Sequence, residues 1–168
     1  MKALNDPVWG LGWPVLRFNF RSVDCSQGQY DGQAEVEDVF AALDWLEHEF
    51  DRPLILAGFS FGAAMALNAC CGSNPSQHRL HALIALGLPL QTEGRTYSYP
   101  SLHHLTLPKL FISGDRDSFA PAEQLTHLIS SAAEPKRQLL LHGVDHFFSD
   151  HLHPMQRAIA SWLKELPS

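Results

Sequence analysis

The sequence predicts an α/β fold in which a mostly parallel sheet of about five strands carries helices on both faces. Short apolar runs alternate along the chain with segments of helical periodicity. The run LILAGF at 54–59 is apolar almost throughout, which is typical of a strand buried on both faces of a parallel sheet. The 168 residues, of which 45% are hydrophobic, suffice for one sizeable core. We therefore expect residues 1–168 to form a single domain.

The predicted elements follow one another in a regular order. The first is a strand over 14–20, PVLRFNF, an apolar and aromatic run that a polar loop follows. A helix is expected over 34–50, where apolar side chains recur at helical spacing and Glu and Asp occupy the other face. The remaining strands are predicted over 54–59, 81–88, 109–113 and 137–142, alternating with helices over 61–71, near 122–133 and near 154–165. This alternation indicates βαβ units with right-handed crossovers.

The charge and the cysteine content indicate which partners and which cellular compartment to expect. The 12 Lys and Arg residues against 18 Asp and Glu give a formal net charge of −6, and the basic residues are scattered. We therefore expect no nucleic-acid partner. The odd set Cys25, Cys70 and Cys71 lacks metal-ligand spacing, and the adjacent pair is geometrically poor for a disulfide. A reducing cytoplasm fits this pattern best.

A secretory signal and a membrane span are both unexpected. The first residues lack a continuous apolar stretch and a small-residue cleavage site. The most apolar segment, 54–71, is interrupted by Gly58, Ser60, Gly62 and Asn68. A strand, a turn and a helix explain these interruptions better than a membrane helix does.

The candidate nucleophile is Ser60, in the run GFSFG at 58–62. The G-x-S-x-G pattern is weak alone, but here it follows a buried strand and opens a helix, the context in which a strained turn lifts a serine hydroxyl above a sheet. Glycines at 58 and 62 are expected because larger side chains two residues to either side would collide at so sharp a turn. The alternative is a serine in an ordinary structural turn.

A nucleophilic serine needs a histidine to accept its proton and a carboxylate to orient that histidine. The expected chain order is serine, acid, histidine, each after a strand. Asp117 is the preferred acid over Asp115, because Gly114 and the next two residues turn the chain before Asp117 can point back over the sheet. Asp117 could instead cap the helix that begins near Pro121.

His146 is the candidate base, in the run HGVDHFF after the last predicted strand. Gly143 permits a turn there, and Phe147 and Phe148 are expected to anchor the loop. Asp145 is interpreted as a turn residue. The rival histidines lie at a strand end, at the start of the last helix or in the polar connection: His142, His151, His153, His103 and His104.

A metal site or cofactor is not expected. His151 and His153 are two residues apart and would point to different sides of a helix, and no H-E-x-x-H motif or cysteine cluster supports them. Solvated surface histidines explain these residues better.

With LRFNFR at 16–21, GFSFG at 58–62, SGDRD at 113–117 and GVDHFF at 143–148, the chain resembles the α/β-hydrolase superfamily. Within it, the chain looks like the small, lidless bacterial serine hydrolases related to dienelactone hydrolase. The resemblance runs from about residue 11 to the end. It implies an α/β-hydrolase fold and a Ser60, Asp117, His146 triad that hydrolyses esters or thioesters through an acyl-enzyme.

Two departures from the family pattern bear on the site. The loop after LRFNFR usually continues with glycines, whereas this chain reads RSVDCSQG at 21–28, so a different substrate shape is expected. Family members also have further strands before LRFNFR and a loop there that donates one oxyanion-hole N–H. Residues 1–13 contain neither, so the fold is expected to be N-terminally shortened, with the backbone N–H of Phe61 as the remaining donor. The open sheet edge would favour homo-oligomers.

The leading functional hypothesis is a hydrolase of small acyl esters or thioesters. Ser60 would attack, His146 would act as general base and then acid, and Asp117 would orient His146. The alternative is a catalytically impaired pseudo-hydrolase or binding module without a complete oxyanion hole. A third hypothesis is that the same triad catalyses acyl transfer or peptide cleavage. Peptidases of the superfamily, however, commonly carry a large extra domain. The connection over 89–107 is expected to overhang the site.

Overall fold

A computed structural model of the chain describes residues 13–71 and 79–166. Within these residues, four longer strands form one sheet, two short strands form a hairpin, and four α-helices pack around them. In chain order the elements are helix α1 (Glu35–Glu49), strand β1 (Leu54–Phe59), helix α2 (Phe61–Cys71), strand β2 (Leu80–Leu86), strands β3 (Gln91–Thr92) and β4 (Arg95–Thr96), a 3₁₀ helix (Leu102–His104), strand β5 (Lys109–Gly114), helix α3 (Ala122–Ser130), strand β6 (Lys136–Leu141) and helix α4 (Leu152–Glu165).

The sheet has the order β1-β2-β5-β6, and every neighbouring pair is parallel. The register places the ends of the strands side by side: Phe59 of β1 pairs with Leu86 of β2, and Leu86 pairs with Ile112 of β5. Gly114, the last residue of β5, pairs with Leu141 of β6. The loops that leave the four strands therefore emerge along one edge of the sheet, where ligands bind in open α/β folds.

The core consists of two apolar layers, one on each face of the sheet. Leu83 and Ala85 of β2 face α1, α2 and α3, whereas Ile84 and Leu86 face α4. This alternation follows from the two-residue period of a strand. No helix within the described residues is long and apolar enough to cross a bilayer.

The start of α1 is stabilised by reciprocal hydrogen bonds. The Asp31 carboxylate accepts from the backbone N–H groups of Ala34 and Gln33, at 2.7 Å each, and these bonds lower the pKa of Asp31. Glu35 accepts from the backbone N–H of Asp31 at 3.0 Å. Such bonds satisfy donors that a helix leaves without internal partners. They also fix where the loop before α1 ends.

The predicted strand over 14–20 is wrong: this segment has no strand assignment, so the sheet of the described residues has four strands rather than five. Several of its apolar side chains, including Val15, Leu16 and Phe18, are exposed. Apolar composition cannot distinguish a paired strand from an extended segment without a partner, and Pro14 lacks an N–H to donate. The other predicted elements are present, with ends that coincide with the predicted ones or differ by up to three residues.

Candidate active site

Ser60 occupies the sharp turn between β1 and α2. Its φ of 53° lies in the left-handed region, which is strained for a residue with a side chain. The surrounding bonds hold it there: the Ser60 N–H donates to the Leu86 carbonyl at 2.9 Å, and the Ser60 carbonyl accepts from the N–H groups of Ala63 and Ala64. The strained conformation is the one that the G-x-S-x-G context predicts for an exposed nucleophile.

The two glycines of this turn, Gly58 and Gly62, differ in how much room the structure leaves for a side chain. A Cβ on Gly58 would lie 2.3 Å from the Gly62 carbonyl oxygen and 2.6 Å from the Ala63 nitrogen. A Cβ on Gly62 would meet only the Phe20 ring, at 3.8 Å, which is ordinary contact. The expectation that side chains would collide at both positions is therefore wrong for Gly62. The backbone at Gly58 lies so close to that of Gly62 and Ala63 that a side chain is excluded at Gly58, but not at Gly62.

This asymmetry gives a paired stability prediction. Gly58→Ala forces backbone apart at the start of α2 and is expected to lower the free energy of unfolding by about 3 kcal/mol, at the upper end of overpacking costs. Gly62→Ala is expected to change it by no more than about 1 kcal/mol, in the stabilising direction, because alanine favours a helix. Urea unfolding of both variants and the wild type measures the difference. Equal destabilisation by the two substitutions would contradict the steric argument.

Ser60, His146 and Asp117 form one hydrogen-bonded chain. The Ser60 Oγ lies 2.8 Å from His146 Nε2, and His146 Nδ1 lies 2.8 Å from Asp117 Oδ2. A carboxylate accepts only, so Nδ1 carries the proton and Nε2 is left to accept from the serine hydroxyl. The other oxygen, Asp117 Oδ1, accepts from the Phe119 N–H at 2.8 Å. Asp117 and His146 are only 3% and 4% exposed, which shields their interaction from solvent.

Asp115, the rival acid, contacts a different histidine. Its Oδ2 lies 2.6 Å from His142 Nδ1, and its Oδ1 accepts from the Gly143 N–H at 2.7 Å. Partial burial raises the pKa of Asp115. The hydrogen bonds from the Gly143 N–H and the His142 ring together lower it by more, so the net shift is downward. Asp115 thus joins the loop after β5 to the loop after β6. Sequence reasoning did not find this pair.

Further contacts fix the His146 loop. Asp145 accepts from the N–H groups of Phe147 and Ser149, which agrees with its interpretation as a turn residue. Phe148 is buried and anchors the loop, as expected, whereas Phe147 is 66% exposed and anchors nothing in the core. The Phe147 ring instead lies edge-on to the His146 ring, with 5.2 Å between centroids.

Aromatic rings and one glycine surround the imidazole. The rings of Phe59 and Phe119 lie 5.2 and 4.4 Å from that of His146. Gly87, directly after β2, has a φ of 53°, and a Cβ there would lie 3.2 Å from His146 Cε1. Gly87 therefore leaves room for the imidazole. Its position after a buried strand, at the same sheet edge as Ser60, is a sequence signal that could have identified it.

Phe61, the predicted oxyanion donor, is the first residue of α2. Its N–H is thus among the four that an α-helix leaves without a partner inside the helix. Helix N-termini also carry partial positive charge, which favours a negative oxygen nearby. The role of this N–H stays a prediction that its position supports.

Cys70 and Cys71 are poor rivals of Ser60 as nucleophiles. Burial raises the pKa of Cys70 to about 12 and that of Cys71 to about 11, so neither forms much thiolate at neutral pH. In the part of the chain that the structure describes, no group of three or more His, Cys, Asp and Glu side chains could hold a metal ion.

A family model described as an alpha/beta hydrolase domain matches residues 1–162. The chain belongs to the α/β-hydrolase family. An uncharacterized protein of Rickettsia prowazekii is 31% identical to this hydrolase over 165 residues, or 94% of this chain and 67% of that protein. This hydrolase spans 54% of the length of two further curated relatives from Mycobacterium tuberculosis.

Solved structures of serine hydrolases are similar to this hydrolase. An alpha-beta serine hydrolase homologue from Coxiella burnetii is 33% identical, with a TM-score of 0.84 over 96% of this chain and 74% of that chain. A serine hydrolase without a lid from Xanthomonas campestris is 27% identical, with a TM-score of 0.85 over 99% of this chain and 73% of that chain. The family resemblance and the α/β-hydrolase fold predicted from the sequence are thereby confirmed.

Proposed function

We propose that this hydrolase cleaves small carboxylic esters or thioesters through an acyl-enzyme on Ser60. The observation that carries the proposal is the chain of two 2.8 Å hydrogen bonds from Ser60 through His146 to Asp117, with Ser60 on a strained turn. This arrangement supplies the three parts that serine acyl transfer requires: a nucleophile, a base within reach and a carboxylate that orients the base.

Acylation begins when Ser60 Oγ attacks the substrate carbonyl carbon and its proton moves to His146 Nε2. The imidazolium that forms is stabilised by Asp117 at Nδ1. When the tetrahedral intermediate collapses, the bond from carbon to the leaving oxygen or sulfur breaks, and Nε2 gives its proton to the leaving group. The products of this half-reaction are the free alcohol or thiol and an ester on Ser60.

Deacylation repeats the same steps with water as nucleophile. Water gives a proton to His146 Nε2 and attacks the acyl carbon, and the bond to Ser60 Oγ then breaks as Nε2 returns the proton to the serine. The products are a carboxylic acid and the regenerated enzyme. No cofactor takes part in either half-reaction.

Stabilisation of the oxyanion is the step on which the alternative function depends. The Phe61 N–H is the donor that we assign to it, and loss of one donor in such a site costs about 10²- to 10³-fold in rate. A chain with a single donor would be a slow hydrolase or a binding module that retains the Ser60 turn. Covalent labelling and steady-state turnover separate these possibilities, because labelling requires only an activated serine.

A cytoplasmic setting and a small-molecule substrate are parts of the same proposal. Cys25, Cys70 and Cys71 are all free thiols, which suits a reducing compartment. The formal net charge of −6 also disfavours nucleic acid as a partner. Self-association through the edge of the sheet at β1 is a further proposal, since β1 is an edge strand of the described sheet.

A fluorophosphonate probe tests the proposal directly. The purified chain is expected to form a covalent adduct that peptide mass spectrometry maps to Ser60, because the His146 base activates this hydroxyl. Ser60→Ala and His146→Ala are expected to remain unlabelled.

The matched control is Ser131→Ala, which removes an exposed serine hydroxyl that donates to the Leu128 carbonyl at the end of α3. It should be labelled as fast as the wild type. A folded wild-type chain that takes no label, or takes it at another serine, would rule out an acyl-enzyme on Ser60.

A further inference from the structure

Hydrogen bonds fix both ends of the loop between residues 20 and 35. At its start, Arg21 pairs with Asp38 of α1, with 2.7 Å between Nη2 and Oδ1, and the Arg21 N–H donates to the same carboxylate at 2.9 Å. At its end, Glu35 accepts from the Asp31 N–H. The position of its middle part, which includes Tyr30, depends on additional contacts.

Arg95 of β4 supplies those contacts from 65 residues away in the chain. Its Nη1 donates to the Tyr30 hydroxyl at 2.9 Å and lies 3.4 Å from the Gly32 carbonyl, and its Nη2 donates to the Asp31 carbonyl at 3.2 Å. The guanidinium also lies 5.6 Å from the Tyr30 ring centre. One planar group with five fixed donors can make all these contacts together, which a lysine cannot.

Gly32 makes room for this guanidinium. A Cβ on Gly32 would lie 1.8 Å from Arg95 Nη2, and its φ of +80° is one that other residues rarely adopt. The loop and the hairpin are therefore complementary in shape as well as in hydrogen bonding.

Tyr30 in turn contacts the residue next to the nucleophile. The Tyr30 ring packs on the Phe61 ring with 5.6 Å between centroids, and Phe61 packs edge-on against Phe20 at 5.4 Å. Tyr30 is 53% exposed, and the exposed Phe147 ring lies edge-on to the His146 ring. Exposed apolar rings next to a reactive group are typical of a surface that contacts ligand.

The geometry points to Arg95 as a positioning residue that determines substrate specificity. By holding Tyr30 against Phe61, it maintains an aromatic wall of Phe20, Tyr30 and Phe61 beside Ser60. The wall accommodates the apolar chain of the ester, so the preferred substrates have acyl groups of medium length rather than acetyl groups. This inference rests on the proposed esterase function and names the substrate class for it.

Hydrolysis of p-nitrophenyl acetate, butyrate and octanoate tests the inference on the full chain. Arg95→Ala is expected to raise KM for the octanoate ester about tenfold and KM for the acetate ester less than twofold, because only the long chain reaches the wall. For octanoate, kcat should change less than KM. Arg95→Lys should recover part of the loss, and Tyr30→Phe, which keeps the ring but loses the hydroxyl bond, should fall between the wild type and Arg95→Ala.

Arg137→Ala is the matched control, because it removes an exposed arginine that pairs with Glu165 on the far helix. It should leave all three esters unaffected. If the wild type hydrolyses the esters and Arg95→Ala alters KM equally for acetate and octanoate, or for neither, the inference is overturned while the proposed function stands. A folded wild type that hydrolyses no ester overturns both.

Discussion

His146→Ala is expected to lower kcat for ester hydrolysis by roughly 10⁵- to 10⁶-fold, the scale seen when a serine hydrolase loses its base. The imidazole is the only group within hydrogen-bond distance of Ser60 Oγ among the bonds that the structure describes, at 2.8 Å. Without it, the serine proton has no acceptor in the attack and the leaving group has no donor. Stopped-time assays with p-nitrophenyl butyrate measure the loss, and circular dichroism checks the fold.

The double variant Ser60→Ala/His146→Ala sharpens this result. Nucleophile and base act as one unit, so removal of both is expected to cost no more than removal of either. The matched control is His142→Ala, since His142 begins the same loop but pairs with Asp115 and has a side chain that is 96% exposed. It should retain turnover within about tenfold of the wild type. Additive losses in the double variant would mean that Ser60 and His146 act in separate steps.

The sheet was predictable because its strands are local patterns in the chain. The apolar runs of β2 and β5 are largely buried, and no neighbour is needed to recognise such a run. The expectation that β1 is buried on both faces is wrong, because β1 lies at an edge of the described sheet and its Ala57 is exposed. The order of Ser60, Asp117 and His146 was predictable for a related reason. Each follows the end of a parallel strand, and parallel strand ends meet at one edge of a sheet.

The remaining features depend on contacts between distant residues. The run 14–20 has the composition of a strand, but pairing needs a partner strand, which composition does not reveal. The pairing of Asp115 with His142 and that of Arg95 with Tyr30 join residues 27 and 65 positions apart. The space for a side chain at Gly62 likewise depends on which atoms lie near its Cα in the folded chain. The sequence motif contains both glycines and does not show that only Gly58 is sterically required.

Asp117→Asn is expected to lower kcat by roughly 10⁴-fold with little change in KM, by analogy of geometry with other Ser-His-Asp sites. The Phe119 N–H, which donates to Asp117 Oδ1 at 2.8 Å, determines the orientation of the amide introduced at position 117. The amide oxygen must take the Oδ1 position to keep that bond, so the NH₂ group faces His146 Nδ1. Two donors cannot face each other, and Nδ1 must then accept while the ring proton moves to Nε2.

In that tautomer, Nε2 points its proton at Ser60 Oγ and cannot accept the serine proton, so acylation slows although every atom stays in place. Histidine ¹⁵N chemical shifts of the wild type and Asp117→Asn would show the exchange of tautomers independently of activity. Asp115→Asn is the matched control, since its amide oxygen can still accept from the Gly143 N–H and its NH₂ group can donate to His142. It should lose less than about tenfold in kcat. Equal losses in the two asparagine variants would show that the acids matter only by joining the two loops, and that Asp117 has no special relation to the base.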